Sequence, residues 1–532
     1  MKQLLPLLVL LCIFTNKGFS QGWGQIQKIV AADRHVEQDY GWSIAIQGDI
    51  AAIGARSDNE AQGAAGAVYM YVKDASDNWI QTQKLIHSNS RQWDRFGQSL
   101  AIDGNYMIVG ARGQDYDENN ANFEDAEGAA YIFEKDGSGN WIEIQKIVAS
   151  DRGETFQAVF GETVAISGNY AVVNKPTEKG DLGINAGVCY IFERDTNGIW
   201  SEVQKITNSH RTNDDRFGDN SISISGNILA IGARQHDYDA SGQNEILSAG
   251  AVYIFERDNN GVWNETQKIV AMQREQGEFF GSSVAINGNQ IIVGASQEYS
   301  LGDVSAQYGA IYIFEQDGNG VYNEIQKIRP DALMHQSKFG HSLAVDGNNM
   351  IVGAYFQIIG SAGFGGAAFM FDKDGSGFWN QTATMYDLDA SSQDRFGFAV
   401  ALSGDFAIVG AHQEDEDENG ANSISQAGSA YVFDVNQPNT LPPLSTLSIT
   451  ENNFDKAIKA YPNPVKNNLN IDLGSFNTKV SVEVYNYLSQ KIISKTYLNT
   501  NTVNLPLKVS KGMYLVKVKA NNTTSILKVL KK

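Results

Sequence analysis

Residues Phe96 to Ala111 read FGQSLAIDGNYMIVGA, and this stretch decides the fold. It opens with an aromatic-glycine pair and closes with Gly110-Ala111. Between them, two apolar runs flank the turn Asp103-Gly104-Asn105. Two such runs around a Gly-Asn turn are typical of a β-hairpin. The stretch therefore predicts two antiparallel strands that are adjacent in one sheet.

The aromatic-glycine pair recurs through most of the chain. Successive glycines of the pair lie 56, 64, 57, 63, 59 and 57 residues apart, a period typical of a solenoid or a propeller. A Gly-Ala pair ends the second strand of every unit except the third, and such small side chains let backbones come close near a central axis. The seven aromatic-glycine pairs are Tyr40-Gly41, Phe96-Gly97, Phe160-Gly161, Phe217-Gly218, Phe280-Gly281, Phe339-Gly340 and Phe396-Gly397.

Each unit predicts four short strands. In the second unit we place them at Ser99–Ile102, Tyr106–Ala111, Gly128–Glu134 and Trp141–Val148. The fourth strands carry a Gln-Lys pair, and charged side chains on an outermost strand discourage edge-to-edge aggregation. These pairs are Gln83-Lys84, Gln145-Lys146, Gln204-Lys205, Gln267-Lys268 and Gln326-Lys327.

The order of the strands along the chain is circularly permuted relative to the repeats. The seventh unit stops after its third strand, Gly428 to Phe433, and the missing fourth strand stands at the N-terminus as Trp23 and Gln27-Lys28-Ile29. A propeller needs such a strand to complete its last blade, whereas an open solenoid has no use for it. Residues 21–435 are therefore predicted to form an all-β, seven-bladed β-propeller closed by its N-terminal strand.

These landmarks resemble FG-GAP repeats, the blades of the integrin α-subunit propeller and of many bacterial surface proteins. The resemblance covers Trp23 to Val435 and is strongest for the bacterial subtype, in which a Gln-Lys-Ile strand precedes Phe-Gly. The integrin type often has an Asp-rich calcium loop between Phe-Gly and Gly-Ala. Here that position holds only a tight turn, Asp103-Gly104-Asn105, so the integrin calcium site is not carried over.

The two ends of the chain indicate export. Residues 1–20 have the charged start, apolar run and small-residue ending of a signal peptide, and no later stretch is long enough to span a bilayer. From residue 456 to the end there are 13 lysines and two acids, a net charge of +11, which leaves −31 for the rest. This change of charge across a Pro-containing stretch marks residues 436–456 as a linker.

The C-terminal residues 457–532 resemble the sorting domain of the type IX secretion system of Bacteroidota. The matching features are Tyr461-Pro462-Asn463-Pro464, Gly512-Met513-Tyr514 and the lysine-rich end Lys528–Lys532. The alternating strands predict a small antiparallel sandwich. The resemblance implies that the secretion machinery is a partner, and that the protein is secreted or held at the outer-membrane cell surface.

Three loops between second and third strands have 16 residues and share a pattern of oxygen-bearing side chains. Alternating Asp and Asn or Ser side chains are suitable ligands for Ca²⁺, which takes about 6–8 oxygens. The alternative is that these side chains bond their own backbone in Asx-turns without a metal. The candidate calcium ligands are Asp115, Asp117, Asn119, Asp237, Asp239, Ser241, Asp415, Asp417 and Asn419.

Other chemistry-bearing residues give weaker signals. No His-Glu-x-x-His or Gly-x-Ser-x-Gly motif is present, although His236 and His412 stand beside the Asp pairs of long loops. Cys189 is expected to be a buried, inert thiol. The single acids of the turns between third and fourth strands are expected to stabilise hairpins. Inter-blade ion pairs, or alternatively a ligand clamp, are expected at Asp94-Arg95, Asp215-Arg216 and Asp394-Arg395.

The net charge of −20 argues against nucleic acid as a partner. We expect a non-enzymatic secreted or cell-surface adhesion protein whose long-loop face binds an extracellular glycan or protein. The alternative is a hydrolase or lyase acting on extracellular polysaccharide at the channel mouth, and a third possibility is a structural coat component. The apolar loop of unit six (Tyr355, Phe356, Ile358, Ile359, Phe364) is either a docking patch or a loop folded over its neighbour.

Overall fold

The computed structural model describes residues 22–153, 157–177, 185–300, 303–330, 333–359, 363–387, 393–439, 459–462, 465–485, 491–520 and 523–532. The described residues contain strands and turns but no helix. They fall into two compact units, one on each side of the boundary between Leu447 and Ser448. The predicted signal peptide (1–20) lies outside the described residues, as does most of the predicted linker.

The first unit contains thirty strands in its described part. In chain order they are β1 (Gly24–Ile29), β2 (Tyr40–Gln47), β3 (Ile50–Ala55), β4 (Ala67–Lys73), β5 (Trp79–Leu85), β6 (Phe96–Asp103), β7 (Tyr106–Ala111), β8 (Ala129–Lys135), β9 (Trp141–Ile147), β10 (Val164–Ser167), β11 (Tyr170–Lys175), β12 (Val188–Arg194), β13 (Trp200–Ile206), β14 (Phe217–Ser225), β15 (Ile228–Ala233), β16 (Ala251–Arg257), β17 (Trp263–Ile269), β18 (Phe280–Asn287), β19 (Gln290–Ala295), β20 (Tyr299–Ser300), β21 (Asp303–Gln307), β22 (Ala310–Gln316), β23 (Tyr322–Ile328), β24 (Leu343–Asp346), β25 (Asn349–Ala354), β26 (Ala367–Lys373), β27 (Trp379–Met385), β28 (Val400–Ser403), β29 (Phe406–Ala411) and β30 (Ser429–Asp434).

These strands form repeated four-stranded antiparallel sheets, which confirms the all-β prediction. Six sheets take four consecutive strands of one repeat, apart from the short hairpin β20–β21 that interrupts one of them. In the second sheet β7, β8 and β9 lie within one residue of their predicted ends. The first strand, β6, begins earlier than predicted, at Phe96, and has an irregular register between Phe96 and Leu100. The aromatic-glycine pair is therefore part of the strand.

The seventh sheet draws on both ends of the first unit. Its order is β1-β30-β29-β28, and β1 pairs antiparallel with β30, with Gly24 opposite Asp434 and Ile29 opposite Ala430. The N-terminal strand thus lies where the strand count placed it, beside the third strand of the last repeat.

Apolar side chains fill the spaces between neighbouring sheets. The second and third sheets, for example, share a cluster that contains Ile132, Phe160 and Tyr190. The last and first sheets share another, in which Val432 packs with Tyr40 and Ile53. Each sheet has β-branched and aromatic residues on both faces because both faces are covered. The core is thus a series of layers between sheets.

Glycines allow the backbones of successive sheets to come into direct contact. Gly66 forms an isolated parallel bridge with Phe96 of the next repeat, and Gly428 forms the same bridge with Tyr40. A Cβ on Gly54 would overlap the carbonyl of Gly97, so the small pair of one sheet lies against the aromatic-glycine pair of the next. This contact is the physical reason for the Gly-Ala landmark.

The Gln-Lys pairs have a role beyond the predicted protection of edges. The amide of Gln83 donates to the carbonyl of Trp141 at 2.9 Å and accepts from the nitrogen of Trp141 at 2.9 Å, so it joins the fourth strands of adjacent sheets. The neighbouring Lys84 forms ion pairs with Asp58 at 3.0 Å and Glu60 at 2.6 Å. Strand β5 is still the outermost strand of its sheet, so protection of its edge stays a prediction, and the bridging role is an addition to it. Such glutamine bridges are Gln27–Trp79, Gln83–Trp141, Gln145–Trp200, Gln204–Trp263, Gln267–Tyr322 and Gln326–Trp379.

The second unit contains β31 (Lys459–Tyr461), β32 (Asn468–Tyr485), β33 (Lys491–Pro506), β34 (Gly512–Ala520) and β35 (Thr523–Lys531). They form one five-stranded antiparallel sheet. The long strand β32 contains a register shift between Asp472 and Asn477 in its pairing with β33. Where a sandwich was expected, the pairing gives one hydrogen-bonded sheet with a single apolar cluster.

The glycine contacts predict how the last sheet meets the first. We expect Gly428→Ala to lower the free energy of unfolding by about 3 kcal/mol, because a Cβ there overlaps the Tyr40 backbone and φ is +85°. Gly404→Ala is the matched control, since Gly404 also has positive φ (+55°) but open space around it. Its cost should stay at about 1–2 kcal/mol. Urea unfolding of both variants measures the difference, and equal losses would contradict this account of the contact.

Candidate functional site

A cleft of about 620 Å³ opens among the loops between second and third strands. It is bounded by the first, second, sixth and seventh sheets. Its size is within the range of about 300–1,000 Å³ that is usual for small-molecule sites. Aromatic rings, arginines, amide side chains and two acids line it, namely Glu37, Asp39, Trp42, Arg56, Asn59, Gln92, Trp93, Arg95, Tyr355, Phe356, Arg395, Phe398, His412, Gln413 and Gln426.

The backbone before each aromatic-glycine pair positions two of these arginines. The residue at that position is left-handed in every repeat, with φ between 52° and 66°. This conformation is unfavourable for bulky side chains, yet Val159 and Phe279 adopt it too. It is therefore a requirement of the fold that also places Arg95 and Arg395 at the cleft. The seven residues are Asp39, Arg95, Val159, Arg216, Phe279, Lys338 and Arg395.

Arg56 follows a Gly-Ala pair and is held from two sides. Its Nε donates to Asp39 at 3.0 Å, and its guanidinium lies 3.0 Å from the centre of the Trp42 ring. Burial lowers the pKa of Arg56, and Asp39 opposes that change. This arginine is already neutralised and has a structural role at the floor of the cleft.

Arg95 and Arg395 are arranged differently from Arg56. Arg95 donates to the hydroxyl of Ser57, and Arg395 donates through Nε to Gln413 at 3.1 Å. Within the described residues, no carboxylate lies within 4.0 Å of either guanidinium, and Arg395 Nη1 is buried without an acceptor. Neither guanidinium therefore forms a direct ion pair with the described residues, although Asp39, which accepts a hydrogen bond from Ser57 at 2.8 Å, opposes the lowering of the Arg95 pKa by burial.

Aromatic rings surround these arginines. The Arg395 guanidinium lies 3.8 Å from the centre of the Phe356 ring, and Arg95 lies 5.1 Å from that of Trp93. Cation–π contacts of this kind orient a guanidinium without neutralising it. The Trp93 side chain is 56% exposed. The cleft therefore presents a flat apolar surface beside two oriented cations.

His412 lies under the cleft and is neutral. It packs 4.3 Å from Phe398 and 4.8 Å from Trp42, measured between ring centres. Burial holds the pKa of His412 well below its usual value, and the nearby Arg56 and Arg395 lower it further. Its Nδ1 is buried without a hydrogen-bond partner among the described residues, and an imidazole with so low a pKa does not act as an acid near pH 7.

A second cavity, of about 400 Å³, is lined by the first-strand residues of all seven repeats. Glu162 accepts hydrogen bonds there from Gln98 at 2.9 Å and Arg112 at 2.8 Å, and Arg234 donates to Asp219 at 2.7 Å. Burial raises the pKa of Glu162, although Arg112 lowers it. The acids of this cavity are engaged by arginines.

The predicted calcium ligands lie in three separate loops, and within each loop they bond the backbone. Asp239 Oδ1 accepts from the nitrogens of Ser241 at 2.9 Å and Gln243 at 3.0 Å, and Asp237 Oδ1 accepts from the nitrogen of Ser248 at 2.7 Å. The loops containing Asp115, Asp117 and Asn119, and Asp415, Asp417 and Asn419, have the same Asx geometry.

An arginine from the next repeat donates hydrogen bonds to backbone carbonyls of each of these loops. Arg274 donates to the carbonyls of Asn244 at 2.8 Å and Asp237 at 2.5 Å. Arg152 and Arg34 bond the equivalent carbonyls of Asp115 and Asp415. A guanidinium therefore supplies positive charge to the carbonyl oxygens of the loop. Calcium binding stays a prediction, and this geometry favours the Asx-turn alternative.

Several other predicted residues have clear positions. Asp94 lies 3.1 Å from His87, and His236 lies 2.9 Å from Asp215, so these acids contact histidines. The ion pairs expected for Arg95 and Arg395 were wrong, because the Asp side chain is buried under the loops while the adjacent arginine lies at the cleft. Burial raises the pKa of Cys189, which fits an inert thiol. Turn acids such as Asp136 stabilise hairpins, accepting from Ser138 and Asn140 nitrogens.

Sequence reasoning missed the residue that follows each aromatic-glycine pair. All of these residues except Ser282 line the cleft or the second cavity. The sequence did contain a signal for these residues. A position that varies between repeats, next to a landmark that does not vary, is one whose side chain the fold does not constrain. The residues in chain order are Trp42, Gln98, Glu162, Asp219, Ser282, His341 and Phe398.

Comparison with known families agrees with this repeat architecture. The FG-GAP repeat model matches six segments that together cover more than half of the chain, namely residues 23–71, 79–133, 141–192, 200–255, 263–314 and 379–433. The chain belongs to the FG-GAP repeat family. The matched segments of this FG-GAP repeat protein leave residues 315–378 between them, and that interval contains the cleft residues Tyr355 and Phe356.

A secretion system C-terminal sorting domain matches residues 459–532. This match confirms the type IX sorting domain, so the FG-GAP repeat protein is secreted or located at the outer-membrane cell surface. No curated protein is similar enough to the chain to count as a match. Among the described residues, no helix has the length and hydropathy needed to cross a membrane.

The loop geometry predicts the response to Asp239 substitutions. Asp239→Asn keeps the Oδ1 acceptor for two backbone nitrogens, whereas Asp239→Ala removes it. We therefore expect the Ala variant to have the lower melting temperature, and calcium or chelator to shift neither variant nor the unmodified protein. Differential scanning calorimetry with added Ca²⁺ or EDTA measures this. A calcium-dependent rise that Asp239→Asn abolishes would establish a metal site instead.

Proposed function

We propose that this FG-GAP repeat protein is a non-enzymatic binding protein that uses its loop face at the cell surface. The observation that carries the proposal is the cleft, which combines exposed aromatic surface, oriented cations and amide side chains on the face that bears the long loops. Rigid β scaffolds usually carry their binding residues on such loops. The ligand class is an extracellular glycan or protein.

The proposal includes a closed, seven-bladed propeller as the scaffold. Two observations support closure: β1 pairs with β30, and Gly410 lies against Gly41 as Gly54 lies against Gly97. Gln27 in β1 also bridges to Trp79, as the equivalent glutamine does elsewhere. A closed ring holds the first and seventh sheets side by side, and the cleft requires that because it draws residues from both.

The enzyme alternative depends on Glu162 in the central cavity. A buried carboxyl with a raised pKa is suitable as a general acid in polysaccharide cleavage. In the structure, however, both Glu162 oxygens accept hydrogen bonds, from Gln98 and from Arg112. We therefore assign it a structural role, and Glu162→Gln should leave any saccharide binding intact. Depolymerisation of a polysaccharide that this variant abolishes would support the enzyme.

The test is a binding screen of the secreted protein against glycans and matrix proteins, followed by two aromatic variants. Trp93→Ala should weaken binding about 30-fold, because a central exposed tryptophan is a typical hot spot of about 2 kcal/mol. Phe123→Ala is the control, since Phe123 is similarly exposed (58%) but is not among the cleft residues. Equal loss in both variants, or in neither, would place the binding surface elsewhere.

A further inference from the structure

The arginines of this face fall into two groups. Arg56, Arg112 and Arg234 each bond a carboxylate, at 3.0, 2.8 and 2.7 Å. Arg95 and Arg395 bond only neutral groups, Ser57 and Gln413. The cleft lining contains Glu37 and Asp39 as well as arginines, and Asp39 is already bonded to Arg56. Within the part of the chain that the structure describes, the guanidiniums of Arg95 and Arg395 therefore retain hydrogen-bond donors that an external anion could use.

A guanidinium has a specific preference among anions. Its planar fork of donors matches carboxylate and phosphate groups, which it binds through two parallel hydrogen bonds. The aromatic contacts of Arg95 with Trp93 and of Arg395 with Phe356 restrict the forks before any ligand arrives. Pre-organised donors lose less entropy on binding. The site is thus prepared for a ligand with planar anionic groups.

The rest of the cleft lining indicates which other chemical groups the ligand carries between its anionic groups. Asn59, Gln92, Gln413 and Gln426 bear amides, which both donate and accept hydrogen bonds as hydroxyl groups do. The exposed Trp93 ring offers a flat apolar face of the size of a pyranose ring. An acidic peptide would use the arginines as well, but an exposed tryptophan ring together with four amides fits hydroxyl-bearing rings more closely. Hydroxyl-rich rings with attached carboxylates fit these features best.

We propose that the cleft binds a saccharide that carries carboxylate groups, with Arg95 and Arg395 as the carboxylate-binding residues and Trp93 as the stacking platform. This inference rests on the proposed function and specifies its ligand. A cleft of about 620 Å³ that is lined by both arginines is large enough for a small oligosaccharide.

The experiment compares one oligosaccharide in two charge states. A 1,4-linked trigalacturonate and its fully methyl-esterified form differ only in the carboxylate charge. Isothermal titration of the full secreted protein should show at least 10-fold tighter binding of the acid form, because a hydrogen bond to a charged group is worth about a 10- to 100-fold change in affinity. Added salt should weaken binding of the acid form only.

Three arginine variants locate the effect. Arg95→Gln and Arg395→Gln should each weaken binding of the acid form about 10-fold or more and leave binding of the ester unchanged. Arg216→Gln is the matched control, because Arg216 has the same left-handed position in another repeat but does not line the cleft. Melting temperatures of all three variants show whether a loss of binding comes from a loss of fold.

The outcomes separate this inference from the proposed function. Equal binding of acid and ester, with both lost in Trp93→Ala, overturns the carboxylate assignment and keeps the glycan-binding cleft. Binding of an acidic peptide in place of either saccharide, lost in the two arginine variants, overturns the saccharide class. An equal loss in Arg216→Gln shows non-specific attraction and overturns the site. No binding of any probe at the cleft overturns both proposals.

Discussion

The close backbone contact between successive sheets is the constraint on which the first unit depends. A glycine ahead of the third strand bridges to the aromatic residue of the next repeat, and a second glycine at the end of the second strand lies against the glycine beside that aromatic. A side chain at either glycine would separate the sheets. Glutamine bridges between fourth strands hold the opposite, outer ends of six interfaces together, whereas the interface between the sixth and seventh sheets has Ala383 at the equivalent position.

This constraint also explains where the protein can vary. The residue before each aromatic-glycine pair is held in a left-handed backbone conformation, whereas the side chains that flank the pair differ from repeat to repeat. The fold therefore dictates the position of Arg95, Arg395, Trp42 and Phe398 without dictating their identity. A cleft made of such positions can change its chemistry without loss of stability, as expected when function is carried by sites placed on a common scaffold.

Many charged residues of the first unit stabilise its loops, and a few are left to determine the chemistry of the cleft. Most acids of the loops are used internally, because Asx-turns and the carbonyl contacts of Arg274 and its equivalents organise long loops that have few apolar contacts. Lysines of the fourth strands neutralise further acids beneath the loops. The body of the protein is strongly acidic, yet the cleft retains two arginines without carboxylate partners among the described residues. Local placement of charge, and not the net charge, sets the chemistry of the site.

The sequence by itself determined the repeat, the all-β class, the strand positions and the sorting domain, because turns, alternation and glycine landmarks are local properties that recur. It also predicted that the strand at Gly24–Ile29 joins the last sheet, since only that pairing completes the count. The tertiary structure alone decided what the polar residues contact. Gln83 bridges two sheets, Arg274 serves a loop of the preceding repeat, and residues far apart in sequence, such as Trp93 and Phe356, meet at one cleft. These contacts join different repeats, and the sequence pattern within one repeat does not show which residues of the neighbouring repeat it contacts.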